Sequence, residues 1–339
     1  MTRVSRIRSL TAAALLATTG LASMGFGPSG HPGRALAAER WDMPVAYPET
    51  NFHTENAKKF AACEKDTSKG ALELVVHSNG SLFKGNEIKR AVQTGQAPIG
   101  ERLLSAHENE NPLFGFDAVP FLASSYDASD KLWRAARPSL EKLLDRQNLV
   151  LLYSVPWPPQ GIYAKKELKS AADLKGLKFR SYNAATAKMA ELMGAAPVQI
   201  EAAELSQALA TGVVEGFISS GATGYDSKVW EQLDRWYDAQ AWLPRNYVLV
   251  NKAAWSGLDG TSKKALQDCA AKAEAEGTAR SKELADWYVE QLKAKGMKVE
   301  PPSPPLKADL ERIGQTMTGD WVAKAGEDGK TIVEAYKKM

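Results

Sequence analysis

The sequence predicts an α/β fold of two lobes around a cleft. Three observations predict it. Strand-like segments alternate with amphipathic helical segments along the chain. The alternation restarts after a stiff run, Pro156-Trp157-Pro158-Pro159, and a second crossing falls near Pro244. The 339 residues suffice for two cores at roughly 150 residues per domain. We expect residues 38–157 with about 246–285 to form one lobe, and 158–245 with about 286–339 the other.

The elements follow from local pattern. Phe52 to Lys69 reads as a helix with Phe52, Ala57, Phe60, Ala61 and Cys63 on its buried stripe. Leu72 to His77 reads as a strand stopped by Ser78-Asn79-Gly80-Ser81. Glu87 to Thr94 is a short helix ended by Gly95, and Pro98-Ile99-Gly100-Glu101 opens a strand. Lys131 to Gln147 is a helix, and Leu149 to Val155 a strand. The run from Pro156 to Gly161 should not continue a ladder, because proline lacks the donor. Leu177–Tyr182, Pro197–Ile200, Val213–Ser219 and Asn246–Asn251 read as further strands. Ala184–Met193 and Ala202–Ala210 are helices ended by Gly194 and Gly212. Thr261 to Lys295 is one long helical pattern interrupted only by Gly277. Pro301-Pro302-Ser303-Pro304-Pro305 is an extended linker, and the tail from Lys307 is helical. Strand–helix alternation predicts largely parallel sheets.

Composition narrows the class. The chain is 44% hydrophobic and 24% charged, ordinary for a globular protein. Its net charge of +3 is uneven: residues 1–37 hold Arg3, Arg6, Arg8 and Arg34 and no acid, so the remainder carries −1. A near-neutral chain offers no electrostatic reason for nucleic acid as a partner. Basic residues, an uncharged stretch from Leu10 to Met24, and Ala35-Leu36-Ala37 read as a cleavable export signal. The product should work in a periplasm. Gly25-Phe26-Gly27-Pro28-Ser29-Gly30 matches GxGxxG but follows no strand and opens no helix, so it is not a dinucleotide fingerprint. Cys63 and Cys269 are the only cysteines. An oxidising compartment permits one bridge, but two separate buried thiols are the simpler reading.

Catalytic signals are missing. No GxSxG, HExxH or P-loop motif occurs. The histidines, His31, His53, His77 and His107, stand at no metal-ligand spacing, and His77 reads as a packed or hydrogen-bonded residue. What remains is polar and aromatic residues at strand ends, where open α/β sheets bind ligands. Arg180 ends a strand and offers a planar fork to a carboxylate, or lies on the surface; position alone does not separate these. Ser219, Ser220 and Thr223 follow another strand as possible donors. Glu101 ends a strand in the other lobe, and Trp157 sits in the crossing as a wall or hinge packer.

Three ordered runs carry a resemblance. They are Asp173-Leu174-Lys175-Gly176-Leu177-Lys178-Phe179-Arg180, Glu191-Leu192-Met193-Gly194-Ala195, and the stretch from Ala203 to Gly216. With Ala91-Val92-Gln93-Thr94-Gly95, Gly100-Glu101 and Tyr247 to Lys252 before a long helix, the chain resembles the solute-binding proteins of TRAP (tripartite ATP-independent periplasmic) transporters. The resemblance spans residues 40–320. It implies a periplasmic binding protein-like fold with a long helix crossing both lobes, no enzymatic activity, no cofactor, a monomer, and delivery of a small organic acid to a pair of permease subunits. It implies that Arg180 binds the ligand carboxylate and that Glu101 lines the pocket from the other lobe; with them we take Ser219, Ser220, Thr223, Trp157, Gln160, Tyr47, Phe83 and Asn183 as candidates around the ligand. Some relatives have a second arginine about where Gln160 stands, and many an asparagine about where Ser220 stands. Losing that second cation argues against a dicarboxylate or a sugar acid, and Glu101, Trp157 and Gln160 suit a monocarboxylate with a hydroxyl, amine or aromatic part. A receptor for an amine or amino acid, or one serving another importer or a sensor, is the alternative, with a secreted enzyme behind both. Whether a metal ion assists binding stays open.

Overall fold

The computed structural model describes residues 39–339. The export signal, His31 and the GxGxxG match lie outside the described residues. The first lobe opens with β1 (Glu39–Pro44), α1 (Phe52–Thr67), β2 (Leu72–His77), α2 (Ile88–Gln93) and β3 (Ile99–Leu103). α3 (Tyr126–Arg146) and β4 (Leu149–Pro156) complete its first pass. The chain crosses into β5 (Gln160–Ala164), then β6 (Lys178–Ser181), α4 (Ala184–Leu192), β7 (Ala196–Gln199), α5 (Leu205–Ala210), β8 (Gly216–Ser220), α6 (Gly221–Asp226) and β9 (Arg235–Tyr237). It returns through β10 (Arg245–Asn251) and α7 (Lys252–Gly257). α8 (Gly260–Ala294), β11 (Lys298–Glu300) and α9 (Pro304–Lys337) close the chain.

The pairing is mixed rather than largely parallel. β1 and β2 pair in parallel, but β10 lies antiparallel between β3 and β4. The second lobe holds a sheet of order β11-β9-β5-β8-β6-β7, in which β5 runs antiparallel to both its neighbours. The antiparallel strands are those that carry the chain between lobes, and a strand that leaves runs opposite to one that returns. β5 begins at Gln160, where a break in pairing was expected. Pro158 and Pro159 occupy only the gap, and the crossings pair with each other. Trp157 N–H donates to Pro244 O at 2.7 Å, and Gln160 N–H donates to Trp242 O at 3.0 Å.

α8 crosses both lobes, packing on α1 and β4 on one side and on α6 on the other. Asp259 caps it, its carboxylate accepting from Thr261 N–H at 2.7 Å and Ser262 N–H at 2.8 Å. Gly277 is a point of closest approach: a Cβ there would stand 2.7 Å from Val155 Cγ2 and 2.8 Å from Asn56 Nδ2. Cys63 on α1 and Cys269 on α8 are bridged, with Cα atoms 5.8 Å apart, correcting the expectation of separate thiols. The packing of two helices brings together residues 206 apart in sequence. α9 begins on the second lobe, where Asp309 accepts from Ala171 N–H. It ends on the first, where Trp321 Nε1 donates to Pro112 O and Tyr336 OH to Leu122 O. The tail expected with the second lobe therefore straddles both, breaking direction at Gly326, whose φ is 61°.

A buried polar group stands behind the return crossing. Asp117 accepts on Oδ2 from Tyr247 OH at 2.6 Å and from Arg245 N–H at 3.0 Å, while its Oδ1 is buried without a partner. Burial pushes its carboxyl up to about 7 from an ordinary 3.8. Between those values the folded chain holds a proton that the unfolded chain has lost, so stability falls as pH rises. Asp117→Asn keeps one acceptor oxygen and removes the ionisation. Urea unfolding at pH 4.5 and 8 should show the variant gaining about 3 kcal/mol on the wild type between the two. Parallel pH profiles would contradict this.

Candidate functional site

A cavity of about 450 Å³, counting the open space at its mouth, lies between the lobes. Strand register builds its floor. Gln160 pairs with Ser220 and Gly161 with Ser219 across β5 and β8. β6 flanks β8 on the far side and ends one residue after Arg180. Arg180, Ser219 and Ser220 thus reach the cavity together from strand ends, with Tyr182, Glu201, Ala202 and Thr223 just beyond. Tyr47, Arg102 and Leu103 face them from the first lobe, and Trp157, Gln160 and Pro244 from the crossings.

Arg180 is 3% exposed. Its Nε donates to Ile200 O at 3.0 Å, and its guanidinium lies 5.0 Å from the centre of the Tyr182 ring. Among the described residues no carboxylate lies within ion-pair distance of it. Burial pulls its pKa down to about 10, so it stays charged at neutral pH. An uncompensated buried cation costs several kcal/mol, which an entering anion repays.

The neighbouring groups are held in place. Gln160 donates from Nε2 to Pro158 O at 2.9 Å and accepts from Tyr182 OH at 3.2 Å. Ser220 caps α6. Trp157 Nε1 and Tyr47 OH both donate to Asn246 Oδ1, at 2.8 and 3.3 Å, and the two rings meet edge-on at 4.8 Å. Burial raises the Tyr47 hydroxyl to about 12, keeping it a donor.

Of the residues named from sequence, Arg180, Ser219, Ser220, Thr223, Trp157, Gln160 and Tyr47 line the cavity. Glu101, Phe83 and Asn183 do not. On β3 Arg102 and, where the strand ends, Leu103 line the cavity, while Glu101 faces the opposite side of the strand from Arg102. Glu101 lies behind the wall, accepting from Asn246 Nδ2 at 3.0 Å beside His53 Nδ1 at 3.0 Å. Asn183 caps α4 and donates to Ser105 Oγ across the lobes at 2.9 Å. Phe83 packs half-buried on the first lobe's core. His77 pairs with Asp42 at 2.8 Å, away from the cavity. Arg102, Tyr182 and Glu201 escaped sequence reading. The signal for Arg102 was present in the strand's two-residue period, but the facing side needs the register.

Arg102 supplies the second cation that the glutamine at position 160 suggested was lost. It is not free: its Nη1 stands 3.5 Å from Glu201 Oε2. Asn51 Nδ2 donates to Asp226 Oδ2 at 2.7 Å, a third side-chain link between the lobes. Among the described residues no group of three or more His, Cys, Asp or Glu side chains is placed to hold a metal ion.

Paired crossings, lobes bridged by side chains and an unmatched cation between them describe a two-lobe solute-binding protein. Residues 45–324 match the model of the bacterial extracellular solute-binding protein family 7. The chain belongs to that family and is a TRAP-type solute receptor, a transport protein and not a member of an enzyme family. It is 57% identical to a TRAP solute-binding protein from a marine metagenome, an unidentified microbe, crystallised with co-purified pyroglutamate and specific for it. That match covers 90% of this chain and all of the other, with a TM-score of 0.89. DctP6 of Bordetella pertussis, an extracytoplasmic solute receptor that binds pyroglutamic acid, is 49% identical over 88% of this chain and all of its own, with a TM-score of 0.87. A monocarboxylate 2-oxoacid-binding periplasmic protein of Nostoc is 25% identical over 73% of this chain and 70% of that protein. Among the described residues no helix is long and apolar enough to cross a membrane.

Proposed function

We propose that this protein captures pyroglutamate, the five-membered lactam of glutamate, in the periplasm and delivers it to the small and large TRAP permease subunits. The observation that carries the reading is Arg180: a buried guanidinium that, among the described residues, has no carboxylate within ion-pair distance. The ligand carboxylate supplies that partner and docks on the fork in two parallel bonds. Ser219, Ser220 and Thr223 are placed to add donors. The lactam ring carries two methylenes, which suit the walls of Tyr47, Trp157, Tyr182, Leu103 and Pro244. Its amide offers one donor and one acceptor, matching a cavity whose remaining charge is a paired Arg102 and Glu201. The pyroglutamate receptors at 57% and 49% identity support the assignment.

In this reading residues 1–37 are the export signal and are removed. The lobes then hinge at Pro156–Gln160 and Pro244–Asn246, with the first lobe's core moving against the second. Ligand shifts the population to the closed state, which alone presents the surface that the permease reads. Closure excludes water and strengthens the ion pair at Arg180.

Titration calorimetry on the protein from residue 38 onward tests this. L-pyroglutamate should bind one-to-one with a Kd below about 10 µM, and raise stability by about 2.7 kcal/mol at a hundredfold excess over Kd. Proline, which lacks the lactam carbonyl, and succinate should bind far more weakly. Tight binding of succinate or a 2-oxoacid with none of pyroglutamate would overturn the ligand assignment.

A further inference from the structure

We propose that Glu201 sets the charge class of the ligand by neutralising Arg102, turning a cavity with two cations into one that accepts a single carboxylate. The proposal rests on the reading that Arg180 binds an organic acid.

Arg102 and Glu201 come from opposite lobes. Arg102 lies on β3 with its side chain 5% exposed, and Glu201 follows β7 with its side chain 23% exposed. Both line the cavity beside Arg180. Glu201 raises the pKa of Arg180 through space and Arg102 lowers it, so all three charges share one field. Gly85 makes room for the pair: a Cβ there would stand 2.7 Å from Glu201 Oε2 and 2.8 Å from Arg102 Nη1. Arg102 Nε is buried without a partner, so Glu201 does not saturate the guanidinium.

Charge arithmetic then decides specificity. Arg102, Arg180 and Glu201 sum to one positive charge, and a monocarboxylate brings the closed cavity to neutrality. A dicarboxylate leaves one excess negative charge next to Glu201, in a space where water cannot screen it. Such rejection by an unfavourable charge is a common route to specificity. Without the Glu201 charge, two cations would face the ligand, and a dianion would match them. A position outside the usual anion-binding arginine thereby controls which acids enter.

Glu201→Gln tests this, because glutamine keeps the shape and an amide oxygen while losing the charge. The probes are L-pyroglutamate and glutarate, the open-chain diacid with the same number of carbons. Calorimetry on the wild type should show glutarate at least 100-fold weaker than pyroglutamate. E201Q should bind glutarate at least tenfold tighter than the wild type does, and lower the ratio of pyroglutamate to glutarate affinity at least tenfold. The double variant R102Q/E201Q should lose the gain, since the unmasked cation is gone. A folded E201Q whose ratio of the two affinities stays within threefold of the wild type overturns the proposal, as does a gain that survives in the double variant. Should E201Q not fold, R102Q alone decides: it strands Glu201 against the ligand, so both acids should bind at least tenfold more weakly, and unchanged affinities overturn the proposal. A wild type that binds another monocarboxylate instead of pyroglutamate overturns the ligand assignment only, and the ratio is then read against that acid. Binding of neither acid by the wild type removes the organic-acid reading and this proposal with it.

Discussion

Arg180→Ala abolishes measurable ligand binding and leaves the fold intact. The two halves of this result have separate causes. Removing one member of a buried ion pair strands the other, at a cost of about 3–5 kcal/mol, or roughly a thousandfold in affinity. The ligand carboxylate would enter a dry cavity whose remaining cation is already engaged with Glu201. The protein, by contrast, uses Arg180 for a single side-chain hydrogen bond, from Nε to Ile200 O. Without ligand its buried charge is uncompensated, so alanine should leave the unliganded melting temperature equal or slightly raised. Arg180→Lys keeps the charge but loses the planar fork and the stacking on Tyr182, and should bind about 100-fold more weakly than the wild type. Calorimetry with a parallel melting curve checks each claim. A folded alanine variant within threefold of wild-type affinity would remove Arg180 from the site.

The place of Arg180 at the cavity was legible because three things coincide there: a short strand, a charged residue near its end, and the flanking runs that carry the family resemblance. Most helices were legible too, since their apolar spacing and glycine stops are local properties. α8 was read as Thr261 to Lys295 and runs from Gly260 to Ala294, within a residue at each end. Non-local features were not. β5 was hidden because Pro158 and Pro159 argue against pairing, and only the partner segment near Trp242 shows that the ladder resumes at Gln160. Strand direction depends on which segments cross between lobes. The choice between Glu101 and Arg102 depends on the register of β3 against β10, which sets Glu101 opposite Val248 and Arg102 opposite Tyr247. A shift of one residue exchanges the two side chains between cavity and core. Glu201 lies in a loop after β7, where no period applies, and its role exists only because Arg102 reaches it from the other lobe.

Removing the bridge between Cys63 and Cys269 should cost about 3–5 kcal/mol of stability with little change in ligand affinity. The size follows from the loop it closes. The cysteines are 206 residues apart, and the segment between them includes most of both lobes, so the unfolded chain loses much freedom when cross-linked. The bridge pins α8 to α1 in the first lobe, and neither cysteine lines the ligand cavity. Cys269 is 1% exposed, so alanine is a better replacement than serine, which would bury a hydroxyl. The double variant C63A/C269A leaves only a small void, worth about 1 kcal/mol, and any loss beyond it belongs to the cross-link. Urea unfolding should give a lower midpoint, and pyroglutamate affinity by calorimetry should stay within about threefold of the wild type. A loss of stability under 1 kcal/mol would show that α1 and α8 are held by packing alone. A large loss of affinity at unchanged stability would mean instead that the bridge controls the angle of α8 across the lobes, and so the closed state itself.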